Sequence, residues 1–270
     1  MVDKELKNRV ILIKGAGEMA TGVACRLFGS NLRRILMLET DSPLAVRRQV
    51  SFCEAVREGG KVVEGIEAVR VAEESERLEA WDRGKIAVRV DPAARSIACL
   101  RPDVLIDATL AKRNLGISID DAPLVIALGP GFEAGKDCHV VVETNRGHDL
   151  GRLIHSGKAV ANTGVPGVIG GYDKERVLRS PADGLFVTER QIGDPVCAGE
   201  LLGRVDDAEV VASIDGLLRG LIRPGSRVRK GLKIGDIDPR GERVYCDTIS
   251  EKARALGGAV LESVLAVYNR

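Results

Sequence analysis

The stretch that decides the fold runs from Val10 to Glu39 and opens Val10-Ile-Leu-Ile-Lys-Gly-Ala-Gly-Glu-Met-Ala-Thr21. A short, continuous apolar run meets a glycine turn, as expected for a buried parallel strand that leads into a helix. Apolar residues at helical spacing follow, and a second apolar run, from Ile35 to Leu38, ends at Glu39. The order strand, glycine turn, helix, strand predicts one β-α-β unit.

The same alternation continues along the first part of the chain. Apolar runs predict further strands at residues 86–90, 104–106, 124–128 and 140–142, and a helical pattern covers residues 73–81. Alternating strands and helices are typical of an α/β sheet. Residues 1–175 are therefore predicted to form a Rossmann-like domain with a mostly parallel sheet.

The second part of the chain carries an internal repeat. Glycines at positions 184, 193, 199 and 203 recur at 216, 225, 231 and 235, an offset of thirty-two residues, and Asp183 matches Asp215. Glycines at such intervals supply the positive φ of tight turns. Residues 176–240 are predicted to form a small all-β module of two half repeats. Residues 241–270 should end in a helix, from Thr248 to Tyr268, that packs back on the body.

Composition limits the class of protein. The chain has 270 residues, 44% of them apolar, a net charge of +1 and 3% aromatic residues, so nucleic-acid binding is not expected. The first nine residues are too charged for a secretion signal, and no apolar run is long enough to span a membrane. Six scattered cysteines without a C-x-x-C pair favour reduced thiols in the cytoplasm. A homo-oligomer is compatible with all of this.

The glycine turn fits the pattern G-x-G-x-x-A directly after a strand. Such a turn lets the backbone approach a pyrophosphate at the amino end of the helix, and an acid that ends the next strand can bind a ribose hydroxyl. The other interpretation is a glycine turn that binds nothing, and Glu18 would oppose a phosphate. The predicted cofactor-binding residues here are Gly15, Gly17, Ala20, Thr21 and Glu39.

Two more segments carry candidate ligand contacts. Arg47 and Arg48 follow the second strand, where they would grip an extra phosphate or simply begin a solvated helix. Asp107 and Lys112 follow the strand at 104–106, and ligands of open parallel sheets bind beyond the carboxyl ends of strands. Asp107 is also a candidate helix N-cap.

The densest polar stretch follows the strand at 124–128. It begins with the glycine loop of Gly129 and Gly131, which we predict to bind a cofactor, and it holds two of the three histidines. Its groups suit acid/base chemistry, a nucleophile, metal ligation or a structural role, and the spacing matches no standard zinc site. We predict that the catalytic candidates line one cleft beside the glycine turn. They are Asp107, His139, Glu143 and His148, with Cys138 as a further ligand or nucleophile.

The repeat resembles the biotinyl/lipoyl barrel-sandwich module, whose carrier versions bear a modified lysine on the hairpin between the halves. The corresponding hairpin, residues 204–211, has no lysine, and none occurs from Glu175 to Arg229. Asp206, Asp207 and Ala208 stand where lipoyl domains carry Asp-Lys-Ala. Biotin and lipoate are therefore not expected.

The chain as a whole resembles the YqeB-type family of accessory proteins for selenium-dependent molybdenum hydroxylases. The matching motifs lie at residues 15–22, 45–52, 111–116, 129–135, 143–148, 233–240 and 249–254. The resemblance implies a role in maturing these hydroxylases, with the hydroxylase or its cofactor as partner and NAD(P) or a molybdopterin-type nucleotide as ligand. The alternative is a nicotinamide-dependent oxidoreductase in which His139 or His148 acts as acid/base.

Overall fold

The computed structural model describes residues 5–162, 164 and 167–269. Residues 1–4, part of the charged amino-terminal stretch, lie outside this range. The chain forms two compact units: the first lies within Met1–Pro43, Ser51–Asn162 and Ile249–Arg270, and the second within Leu44–Val50 and Thr163–Thr248. The domain limits expected at residues 175 and 240 stay a prediction.

The strands of the first unit share short lengths and largely apolar sequences. They are β1 (Ile11–Lys14), β2 (Ile35–Glu39), β3 (Gly60–Val63), β4 (Ile66–Arg70), β5 (Ile86–Val90), β6 (Val104–Asp107), β7 (Leu124–Leu128), β8 (Glu133–Ala134), β9 (Val140–Val142), β10 (Leu153–Ile154) and β11 (Gly157–Lys158). Those of the second unit are β12 (Val177–Arg179), β13 (Gly184–Val187), β14 (Pro195–Val196), β15 (Leu201–Val205), β16 (Ala208–Val211), β17 (Gly216–Leu221), β18 (Ser226–Val228) and β19 (Lys233–Asp238).

The α-helices vary from one turn to five. They are α1 (Glu18–Gly29), α2 (Ala55–Glu58), α3 (Glu74–Asp82), α4 (Ser96–Leu100), α5 (Val244–Asp247) and α6 (Glu251–Tyr268). Short 3-10 turns lie at Leu6–Asn8, Arg48–Val50, Phe52–Glu54 and Ile119–Asp121. Among the described residues, no helix combines the length and the apolar character needed to cross a membrane.

The first unit is built on one nine-stranded sheet with the order β10-β9-β7-β6-β1-β2-β5-β4-β3. The strands from β9 to β4 run parallel, and the two edge strands, β10 and β3, pair antiparallel with their neighbours. Residues Ile11 to Ile13 are fully buried, since both faces of the sheet centre are covered. A small two-stranded sheet joins β8 and β11.

Two long helices, α1 and α6, pack on each other in the first unit, and α6 also packs on β7 and β9. A β-carbon added at Gly22 would lie 2.7 Å from the Cβ of Ala253, and one added at Gly257 would lie 2.9 Å from the Cβ of Arg26. The order of these contacts shows that both helices run in the same direction. Their amino ends therefore lie at the same end of the helix pair.

The second unit consists of two antiparallel sheets of four strands, ordered β12-β19-β17-β14 and β16-β15-β13-β18. Its core is a separate apolar cluster that includes Phe186, Leu218 and Ile237, all fully buried. The early segment Leu44–Val50 belongs to this unit, where the amide of Leu221 donates to the carbonyl of Val46. Strands from both half repeats contribute to each sheet.

The repeat appears in the structure as an exchange of contacts between its halves. Asp183 accepts a hydrogen bond from the amide of Lys230 at 2.6 Å, and Asp215 accepts one from the amide of Ala198 at 2.7 Å. Each member of one bond lies thirty-two residues from its counterpart in the other. The two halves are therefore interlocked and each completes the turns of the other.

The predicted fold class is wrong. The first unit is not a Rossmann-like domain: its central strands are parallel as expected, but its single large sheet is mixed, because an antiparallel pair ends it on both sides. The second is not a small biotinyl/lipoyl-like barrel-sandwich module, because its two four-stranded antiparallel sheets form one unit with the distant segment Leu44–Val50. Apolar runs mark buried strands, but they do not show which strands pair at an edge or which distant segment joins a sheet.

Candidate functional site

The loops at the carboxyl ends of four neighbouring strands of the first unit lie in contact. A β-carbon at Gly15, after β1, would lie 3.2 Å from backbone atoms of Ala108, after β6. One at Gly131, after β7, would lie 2.6 Å from the Cα of Arg113 in the loop after β6. One at Gly129 would lie 2.5 Å from the Oγ1 of Thr144, after β9. The structure thus brings the loops that hold Gly15, Asp107, Lys112, Gly129, Gly131 and Glu143 to one edge of the sheet.

The glycine turn combines one open position with several structural bonds. Gly17 precedes α1 without a side-chain cap, and a β-carbon there would meet no atom within 4 Å. Glu39 Oε2 accepts from the amide of Ala16 at 2.9 Å, so this acid holds the turn. Ala20 and Thr21 are fully buried, and Thr21 Oγ1 accepts from the amide of Phe52. Of the two glycines in the turn, only Gly17 has open space where a β-carbon would stand.

Asp107 is the most perturbed acid at this edge. It is fully buried, its Oδ1 accepts from the amide and the hydroxyl of Thr109, and its Oδ2 has no hydrogen-bond partner. Burial raises the pKa of Asp107 above its usual value, although Thr109 and the charge of Lys14 act in the opposite direction. A buried acid with a shifted pKa and a free oxygen is a functional-site candidate.

Lys14 is the neighbour of Asp107 in the parallel register of β1 and β6, so both side chains project from one face of the sheet. Lys14 is 6% exposed, and its Nζ donates to the carbonyl of Leu115 at 2.7 Å. The sequence analysis missed Lys14 because a lysine that ends an apolar run is typical of a strand that reaches solvent.

Lys252, in the first turn of α6, is a second cation missed from the sequence. Burial lowers the pKa of Lys252, with Arg146 acting in the same direction, whereas the carboxylates of Glu18, Glu143 and Glu251 favour its charged form. Lys252 therefore places positive charge near Glu18, the residue expected to repel a phosphate. No sequence signal marks it, since only the packing of α6 on α1 brings it to this edge.

The remaining catalytic candidates have different environments. Glu143 is 3% exposed, and its two oxygens accept from the amides of Asn145 and Val160. His139 lies before β9, at its amino end, where its Nδ1 accepts from the amide of Val125. His148 is exposed in the loop between β9 and β10. The structure does not bring His139 to the edge that holds Asp107.

The thiol and metal chemistry considered from the sequence has little support. Cys138 is fully buried, and burial raises the pKa of its thiol to about 12, so the thiolate nucleophile is scarce at neutral pH. Within residues 5–162, 164 and 167–269, no three His, Cys, Asp or Glu residues are grouped to hold a metal ion.

Arg47 and Arg48 belong to the second unit, where both bond to its backbone. Arg47 is 5% exposed and donates to the carbonyls of Tyr245 and Thr248 at 2.7 and 2.8 Å. Arg48 Nε donates to the carbonyl of Leu221 at 2.7 Å. These bonds tie the early segment Leu44–Val50 to the end of β17 and to the region of α5 in that unit.

A cavity of about 370 Å³ opens beside Glu143. Its lining includes the third histidine, His155, with Arg152 and Lys158. Arg152 and Lys158 form ion pairs with Asp149 and Glu133. The cavity adjoins the carboxyl edge but shares only Glu143 with the predicted site residues.

Comparison with known proteins gives one strong similarity. The chain is 45% identical over 263 residues to the uncharacterized protein YqeB of Escherichia coli strain K12, a match that covers 97% of this chain. This similarity supports the resemblance of the chain to the YqeB family. The chain spans about half the length of this YqeB relative, 48% of it. No protein-family model matches the chain.

Solved structures give only weak likenesses. The product-bound ectoine utilization protein EutE (DoeB) from Ruegeria pomeroyi is 14% identical, with 79% of this chain and 61% of that chain covered and a TM-score of 0.24. An aspartoacylase family protein from Mesorhizobium loti is 13% identical, with coverages of 85% and 84% and a TM-score of 0.27. At these TM-scores, neither likeness identifies the fold or the function of this chain.

Proposed function

We propose that this chain is an accessory protein in the maturation of selenium-dependent molybdenum hydroxylases. In this proposal its first unit binds a phosphate-bearing ligand, a nucleotide or a molybdopterin-type cofactor, at the turn from Gly15 to Ala20. The resemblance to YqeB-type accessory proteins supports the maturation role. The observation that carries the ligand site is the open, uncapped amino end of α1 at Gly17.

Helix geometry explains why an anion suits this position. The first amides of an α-helix have no partner within the helix, and the helix dipole adds partial positive charge there. The amino ends of α1 and α6 lie at the same end of the helix pair, and the side chain of Lys252, in the first turn of α6, interacts with the carboxylate of Glu18. These features offset the negative charge of Glu18.

Replacing Gly17 by valine is expected to abolish ligand binding with little loss of stability. Gly17 has φ −70° and ψ −175°, which valine adopts, and its added atoms would occupy the space that a phosphate needs. We expect a nucleotide at a hundred times its Kd to raise the Tm of the wild-type chain by roughly 5–10 °C, and this shift should vanish in the variant. Thermal unfolding with AMP, IMP, NAD, NADP and pyrophosphate measures it.

Gly29→Val is the matched control, because Gly29 ends the same helix and a β-carbon there also meets no atom within 4 Å. The control should keep the ligand-induced shift. A Gly17→Val protein that still responds to the ligands, or a wild-type chain that responds to none of them, would contradict the site. Oxidation or reduction of a small molecule by the NAD-bound chain would instead favour the nicotinamide-dependent oxidoreductase.

Deleting the gene is expected to lower selenium-dependent hydroxylase activity while the hydroxylase polypeptide persists. An accessory protein acts on the cofactor of its client, so its loss leaves an incomplete enzyme. Activity assays and immunoblots of the hydroxylase, with and without the restored wild-type gene, measure this. Undiminished activity in the deletion strain argues against the maturation role.

A further inference from the structure

Lys14 and Asp107 are buried, ionisable neighbours that do not bond each other. The ammonium of Lys14 donates to the carbonyl of Leu115, and Asp107 uses one oxygen for Thr109. The other carboxyl oxygen, Oδ2, is buried and has no hydrogen-bond partner. A donor and an unused acceptor therefore belong to residues paired on adjacent strands, whose backbones lie about 5 Å apart, and both side chains project from one face of the sheet.

Both side chains bond to the same loop, residues 108–116. Two of its non-glycine residues, Leu110 with φ 53° and Lys112 with φ 61°, have the left-handed backbone that such residues rarely adopt. Backbone of this kind persists only where surrounding contacts hold it, as the packing of Gly131 against Lys112 does here. The loop therefore bonds to both Lys14 and Asp107 while two of its own residues have an energetically unfavourable backbone conformation.

We propose that Lys14 and Asp107 form a subsite for a lactam edge, an N–H group beside a carbonyl, and that the loop opens to admit it. This inference rests on the proposed function, because the lactam belongs to the heterocycle of the phosphate-bearing ligand. The ligand carbonyl would replace that of Leu115 as the acceptor for Lys14, and the ligand N–H would donate to Asp107 Oδ2.

The position relative to the glycine turn supports this assignment. Gly15 follows Lys14 directly and packs against Ala108, which follows Asp107. A ligand whose phosphate lies at Gly17 would thus have its other end within reach of the subsite. Hypoxanthine, guanine, uracil and pterins present a lactam edge, whereas adenine and cytosine do not.

The test compares the binding of IMP and AMP to the intact chain by calorimetry, because these nucleotides differ only at the edge concerned. We expect the wild-type chain to bind IMP roughly tenfold or more tightly than AMP. In Asp107→Asn an amide N–H faces the ligand N–H, so this preference should fall to within about twofold. Pyrophosphate should bind both proteins equally.

Asp103→Asn is the matched control at the opposite end of the same strand. Asp103 accepts from the amide of Val10 and forms an ion pair with Arg9. The control therefore makes the same substitution at an acid that lies outside the proposed subsite. It should keep the preference for IMP. Equal binding of IMP and AMP by the wild-type chain, or an unchanged preference in Asp107→Asn, overturns the subsite and leaves the phosphate site standing if pyrophosphate binds. Failure of all three compounds to bind overturns both.

Discussion

Replacing Asp236 by asparagine is expected to lower the free energy of unfolding by roughly 3–5 kcal/mol, since it removes the acid from a buried ion network. Asp236 is 1% exposed in β19. Its Oδ1 accepts from Arg176 at 2.6 Å and from Lys233 at 2.8 Å, and its Oδ2 accepts from two nitrogens of Arg219 at 3.0 and 2.6 Å. Asparagine keeps the size of the side chain but leaves three cations around a neutral group.

The same network makes the stability of the chain depend on pH. Burial alone would raise the pKa of Asp236, but the charges of Lys233, Arg219 and Arg176 outweigh it and hold that pKa below its usual value. A lowered pKa in the folded state contributes stability that is present above the unfolded pKa, about 3.9, and is lost as the pH falls through the folded value. The wild-type chain should therefore lose this contribution in acid, whereas Asp236→Asn lacks it already at neutral pH.

Urea unfolding at pH 7 and at pH 3 measures both effects, and Asp207→Asn is the control. Asp207 is exposed in the turn between β15 and β16, so its replacement should change the free energy of unfolding by less than about 0.5 kcal/mol. The gap between Asp236→Asn and the wild-type chain should narrow in acid. If Asp236→Asn is as stable as Asp207→Asn at pH 7, the carboxylate of Asp236 contributes nothing to the free energy of unfolding, and the prediction is wrong.

Local sequence pattern predicted the strand positions but not the architecture. The apolar runs at residues 86–90, 124–128 and 140–142 coincide with β5, β7 and β9, because a strand buried on both faces needs a continuous apolar sequence. The hairpin of β3 and β4 was missed, since its pattern alternates weakly and it lies at an edge. Glycine spacing predicted the repeat, yet the exchange of contacts between its halves depends on pairings far apart in sequence.

The candidate site, like the fold, could be predicted only in part from the sequence. Glycine turns and polar residues after apolar runs predicted the loops at the carboxyl edge, because the chain direction of a strand fixes which end a loop follows. Burial and side-chain partners could not be predicted, so Glu39, Thr21 and Glu143 turn out to bond neighbouring backbone amides. Lys252 could not be found, since its place depends on how α6 packs.

The close contact of α6 with α1 involves only one of two adjacent glycines in α6. A β-carbon at Gly257 would lie 2.9 Å from the carbonyl oxygen of Gly22 and 2.9 Å from the Cβ of Arg26, both on α1. A β-carbon at Gly258 would meet no atom within 4 Å. The two positions have the same residue type, helix and depth along the helix, so the contact with α1 is what separates them.

Gly257→Ala is therefore expected to destabilise the chain by about 1–3 kcal/mol, because backbone atoms of α1 must shift to admit the methyl group. Gly258→Ala should stabilise it by about 0.5–1 kcal/mol, since alanine has the higher helix propensity and meets no obstacle. The two variants should differ by roughly 1.5–4 kcal/mol in urea unfolding, and hydrogen exchange in α1 should quicken only in Gly257→Ala. Equal stabilisation by both substitutions would mean that α6 can move away from α1 at negligible cost. The placement of Lys252 near Glu18 would then lose its structural basis, because only close contact between the two helices brings that ammonium to the amino end of α1.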